Sequence, residues 1–182
     1  MGMIEGSATI EGGIAEAVIE RAAAGDEAAF ARIVAAHHED MARIAFLVSG
    51  DLEVAADAAQ AAWAIAWRRL GTLRDAARLK PWLMSVAANE ARQIMRSQRR
   101  RTVRELPVGG PTAAFDPDRS VLIDLANALD DLDYRDRTLI GLRFIAELDS
   151  EAIGRELGLS ASGVRVRLHR LLGHLRKELG DD

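Results

Sequence analysis

Apolar residues recur along this chain at three- and four-residue intervals, the spacing of helices that bury one face. The start is an exception, because Gly6, Gly12 and Gly13 discourage a long helix. A first helix is predicted over residues 14–24. A longer one begins near Asp26, with Phe30, Ile33, Val34, His37, Met41, Ile44, Ala45 and Val48 on one face. Ser49-Gly50-Asp51 reads as a turn, and residues 52–70 as an alanine-rich helix suited to close packing. After a loop over 71–77, another helix runs from 78 to 100 or beyond. The pattern then breaks: Leu106 to Asp118 holds Pro107, Pro111 and Pro117 with Gly109 and Gly110, the composition of a linker. Helices follow over 120–129 and 135–146.

From Asp149 the chain spells a helix, a turn and a second helix. Gly158 supplies the stop and Ser160 the next N-cap. In the last helix Val164, Leu168, Leu171, Leu172, Leu175 and Leu179 form one apolar stripe. No run alternates β-branched with polar residues for long. The expected fold class is therefore all-α: two small helical domains joined by a flexible linker. The boundaries are an N-terminal extension (1–25), a first domain (26–105), the linker (106–119) and a second domain (120–182).

Charge changes this picture more than composition does. The net charge is −4, yet residues 1–63 carry 11 acidic and 3 basic side chains, and residues 64–105 carry 3 acidic and 11 basic. Between Ser160 and Lys177 there are five basic residues and no acidic one. Two basic blocks in an acidic chain fit a nucleic-acid partner, since phosphate contacts need local positive charge. The absence of cysteine excludes disulfides and thiolate metal sites. No apolar run approaches the roughly 20 residues that span a bilayer, so no membrane insertion is expected. Residues 1–13 hold no basic side chain and do not form a secretory signal. A cytoplasmic protein is expected.

Three constellations are candidates for function. On the last helix, Ser162, Arg165, Val166, His169 and Arg170 oppose the apolar stripe, the arrangement of a helix that reads base edges in the major groove. The bland alternative is an amphipathic surface helix with basic residues near its C-terminus. On the helix from Arg78, Trp82, Asn89 and Arg96 recur every seven residues beside Arg92, Arg99 and Arg100. An aromatic, an amide and a row of guanidiniums suit opened or single-stranded DNA, although Trp82 taken alone reads slightly better as core. Trp63 and Trp67, four apart, read first as interhelical packing. Catalytic readings fail: the four histidines lack partners at ligand spacing, and no phosphate loop or nucleophile elbow is present. No enzyme, cofactor or metal is expected.

Taken together, these segments resemble the extracytoplasmic-function (ECF) subfamily of bacterial RNA polymerase sigma factors. Ala56 to Trp67 resembles the core-polymerase-binding segment, Leu79 to Arg92 the promoter-melting helix, and Leu139 to Arg170 the fourth region. The resemblance implies that Asp57, Gln60, Trp63 and Trp67 dock on the coiled coil of the largest polymerase subunit, with the polymerase flap as a further contact. It implies that Arg68, Arg74, Lys80, Trp82, Asn89, Arg92, Arg96, Arg99 and Arg100 serve the opened −10 element. Ser160, Ser162, Gly163, Arg165, Val166, Arg167, His169 and Arg170 would serve the −35 element. Core RNA polymerase and promoter DNA are the implied partners, and an anti-sigma factor is a further candidate. The function implied is promoter recognition, strand opening and transcription initiation. Its rival is a stand-alone helix-turn-helix regulator of duplex operators, and a third reading is a helical adaptor for acidic proteins. Three departures stand out. Gly163 and Val166 occupy positions where hydroxyl side chains are common in the family, and Asp133 replaces a common proline.

Overall fold

The computed structural model describes residues 16–102 and 132–178. The linker expected over 106–119, the helix expected over 120–129, and Leu179 lie outside these residues. Among the described residues there is no strand. The helices are α1 (residues 16–23), α2 (Glu27–Ser49), α3 (Leu52–Arg69), α4 (Leu79–Thr102), α5 (Tyr134–Phe144), α6 (Ser150–Leu157) and α7 (Ala161–Glu178). The loop expected between α3 and α4 contains two short 3-10 turns, Leu70–Thr72 and Ala76–Arg78.

Aspartates set most of the starts. A carboxylate one residue before a helix satisfies amide groups that the first turn leaves without partners, and its charge suits the positive end of the helix dipole. Asp26 accepts from the Ala29 amide at 3.0 Å, and Asp51 from Glu53 and Val54 at 2.8 and 3.0 Å. Asp149 accepts from Glu151 and Ala152 at 3.0 and 2.7 Å. The departure at Asp133 has the same explanation: its carboxylate accepts from the Asp136 amide at 2.8 Å and caps α5. Gly50 ends α2 and Gly158 ends α6, with φ of 70° and 69°, the left-handed conformation that a side chain disfavours.

α2, α3 and α4 pack on one another around Met41, Ile44, Val48, Ala58, Leu83 and Met84, all inaccessible to solvent. Buried alanines bring α3 close to its neighbours: Ala55, Ala58, Ala59, Ala62 and Ala66. α1, within the stretch that the sequence assigns to an extension, buries Ile19 and Ala22 in the same core. The C-terminal helices do not stand apart. α5 lies across α2, α4 touches α5 and α6, and one apolar core runs from Ile19 to Leu171.

Two glycines make this packing possible. A Cβ on Gly141 would come 2.6 Å from Ile44 Cγ1 and 3.1 Å from Leu47 Cδ2, so the α5 backbone rests directly on these α2 side chains. A Cβ on Gly154 would come 2.5 Å from the Leu159 carbonyl oxygen, where the turn between α6 and α7 folds back over α6.

Gly141→Leu should therefore separate the C-terminal helices from the N-terminal ones. Small-angle scattering should report a larger radius of gyration while far-UV circular dichroism keeps its helical amplitude; an unchanged radius would contradict the packing described. Gly154→Ala should cost about 1–3 kcal/mol through overpacking, read as a lowered thermal unfolding midpoint.

Candidate nucleic-acid and polymerase interfaces

α7 is anchored on one side and open on the other. Val164, Leu168 and Leu171 are buried, and Leu172 and Leu175 are half-buried. Ser162, Gly163, Arg165, Val166, His169 and Arg170 are exposed. Ser160 caps the helix: its hydroxyl accepts from the Gly163 amide at 3.0 Å and lies 3.1 Å from the Ser162 hydroxyl. Gly163 fits there because a Cβ would press on Ser160 Oγ at 3.1 Å.

Arg167 differs from its neighbours. It is half-buried, its Nε donates to Asp136, and its guanidinium lies 3.7 Å from Asp133. It ties α7 to the start of α5 rather than projecting with the open face. The sequence held the signal, because position 167 is three residues after Val164 and four before Leu171, the edge of the buried stripe.

α4 carries the second basic surface. Asn89, Arg96, Arg99 and Arg100 are exposed along it, and Arg68 and Arg74 are exposed just before it. Trp82 is half-buried and packs against the core, so the seven-residue stripe opens to solvent at Asn89 and Arg96 but not fully at its aromatic end. Lys80 pairs with Asp40 at 3.2 Å. Burial, with Lys80 nearby, holds His37 below the ordinary histidine range.

Arg92 faces the C-terminal helices. Its Nη1 donates to the Tyr134 hydroxyl at 3.1 Å, and its guanidinium carbon lies 5.0 Å from the Tyr134 ring centre. Hydrogen bonds from Arg135 and then Arg92 draw the Tyr134 phenol below its ordinary range. These groups line a cleft of about 340 Å³ that also includes Asn89, Glu156 and Arg167. Ser85 Oγ and Arg92 Nε are buried there without a hydrogen-bond partner. At its edge Arg78 pairs with Glu156 at 2.6 Å. These tyrosine and glutamate contacts were not legible in the sequence, since the partners lie 42 and 78 residues away.

α3 offers a different surface. Asp57 and Gln60 are exposed, Trp63 is half-buried, and Trp67 is 40% exposed. Phe30 of α2 meets both indoles edge-on, with ring centres 5.7 and 4.9 Å apart. The Trp63 indole N–H donates to His38 Nδ1 at 3.1 Å. Beside it runs a mostly apolar groove of about 430 Å³ lined by Val34, His38, Leu52, Ala56, Gln60 and Trp63. His38 had no site role legible in the sequence, since no local spacing links it to a tryptophan 25 residues on.

Among the described residues no cluster of histidine, aspartate and glutamate could hold a metal ion, and no helix is long and apolar enough to cross a membrane.

Comparison with known proteins places the chain in a family. The chain matches Sigma-70 region 2 over residues 33–101 and Sigma-70, region 4 over residues 128–177. It is 31% identical over 179 residues to a probable RNA polymerase sigma factor, RfaY, of Xanthomonas campestris. That alignment covers 88% of this chain and 43% of RfaY, so the chain spans less than half of that relative's length. The ECF RNA polymerase sigma factor SigW of Bacillus subtilis is 26% identical, with 90% of this chain and 95% of SigW covered. Among solved structures, CnrH in complex with the cytosolic domain of CnrY superposes with a TM-score of 0.70 at 26% identity, covering 91% of this chain and 96% of CnrH. A stand-alone operator-binding regulator would not require the first of the two matched regions. The chain belongs to the sigma-70 family of RNA polymerase sigma factors, in its extracytoplasmic-function group.

Proposed function

We propose that this sigma factor docks on core polymerase through α3 and holds its promoter with α4 and α7. Asp57, Gln60 and the exposed parts of Trp63 and Trp67 form the polymerase-facing surface, with the α2–α3 groove beside them. Asn89, Arg96, Arg99 and Arg100, joined by Arg68 and Arg74, follow the opened strand at the −10 element. Ser162, Arg165, Val166, His169 and Arg170 read the −35 element in the major groove, with Ser160 and the helix start near a phosphate. Arg167, tied to Asp136, supports this reader from behind. The protein works in the cytoplasm and carries out no chemistry. It gives specificity and strand-opening free energy to a catalytic partner.

One observation carries this reading. A single chain presents two basic helices, each anchored on its apolar side and open on its charged side. The distance between the two DNA elements bears on how they are used. Their centres lie about 25 base pairs apart, about 85 Å along B-DNA. Here Arg92 of α4 and Arg167 of α7 line one cleft. The C-terminal helices therefore move away from α4 on the promoter, releasing Arg92 from Tyr134 and Arg78 from Glu156. CnrH was captured with the cytosolic domain of CnrY. By analogy, an anti-sigma protein holding this chain closed would keep both basic helices from DNA.

Mixing the chain with core polymerase should yield a complex on gel filtration that transcribes from a subset of a randomised promoter library. If no complex forms, the reading is wrong. Arg165→Ala should weaken binding to selected promoters by about 1–3 kcal/mol and relax preference at one −35 position. An equal loss on all DNA would assign Arg165 to phosphate instead.

A further inference from the structure

Val166 is an exception on the open face of α7. It is 51% exposed, whereas Val164 and Leu168 on the same helix are 0% and 7% exposed. Ser162 lies one turn before it and Arg170 one turn after, and Arg165 and His169 flank it. It is the one large apolar side chain among five polar or side-chain-free positions that face solvent there. Gly163, three residues earlier, is its neighbour on the helix surface and has no side chain. The surface beside the valine methyls is therefore low, a shallow seat between Val166 and the helix backbone.

The charge around this seat selects its occupant. No acidic residue falls between Ser160 and Lys177, so the face suits a polyanion better than an apolar protein surface. The major-groove edges of bases present hydrogen-bonding atoms almost throughout, and the substantial apolar group among them is the thymine C5 methyl. Polar atoms placed against Val166 would lose water without gaining a partner, whereas a methyl group would gain contact.

We propose that Val166 packs against the C5 methyl of a thymine in the −35 element, seated over Gly163, and that this contact fixes one thymine in the promoters this protein selects. The proposal rests on the sigma-factor reading above and specifies what one residue of the reading helix recognises.

The test uses holoenzyme assembled from the full chain and core polymerase, with a duplex selected from a randomised promoter library. Each thymine of its −35 element is replaced in turn by deoxyuridine, which removes the methyl and leaves the hydrogen-bonding edge intact. One replacement should weaken binding roughly fourfold, the worth of one buried methyl group. Val166→Ala, at an exposed position, should lose a similar factor on the thymine duplex and become indifferent to that replacement. The assignment is overturned if no thymine shows the effect, or if the Val166→Ala protein keeps the full sensitivity. If the holoenzyme binds no library duplex at all, the sigma-factor reading falls, and this assignment with it.

Discussion

α2 is packed on from several sides, and the remaining helices take their positions from it. Met41, Ile44 and Val48 are inaccessible to solvent, with α3 and α4 on one side and α5 on another. The constraint is tightest at Ile44, where α5 approaches so closely that only a hydrogen fits at Gly141. A buried isoleucine cannot yield without disturbing the three-helix core behind it. The C-terminal helices are thus located against the N-terminal ones by shape. The polar contacts at the edge, Arg78 with Glu156 and Arg92 with Tyr134, add orientation around that point.

The arginines divide into two groups. Arg167, Arg92 and Arg78 are engaged with groups on other helices, Asp136, Tyr134 and Glu156 respectively. Arg165, Arg170, Arg96, Arg99 and Arg100 remain on open faces. Only the second group is ready for phosphate without giving up a partner. Two of the three pairs in the first group join the N-terminal helices to the C-terminal ones, so they hold only while those helices lie together. Arg78 is exposed although Glu156 is mostly covered, so salt weakens this pair, and it biases the arrangement without locking it.

Local features of the fold were legible in the sequence. The helix-stop at Gly158, the cap at Ser160 and the turn at Ser49-Gly50-Asp51 each depend on a few adjacent residues, and each stands where expected. The buried stripe of α7 follows from periodicity alone as far as Leu175. What the sequence did not disclose was long-range. Nothing near Gly141 marks it as a contact point, nor Gly154 as the floor of a turn, because the excluding atoms are side chains nearly a hundred positions away in the first case and returning backbone in the second. Arg167 shows the limit of counting charges on a helix: its neighbours at three and four residues, more than its own type, decide which way it faces. Asp133 appeared as an unexplained substitution until its carboxylate was seen to cap α5.

The alanines of α3 and α4 have a mechanical consequence. Ala55, Ala58, Ala59, Ala62 and Ala66 are buried on the helix that carries Asp57 and Gln60, and Ala87, Ala88 and Ala91 on the helix that carries Asn89 and Arg96. An alanine has no side-chain torsion to adjust, so a contact built of alanines cannot take up strain by switching rotamers. The two helices are therefore held to each other by contacts that have no rotamer to switch, and a displacement of one is passed to the other with little side-chain adjustment between them.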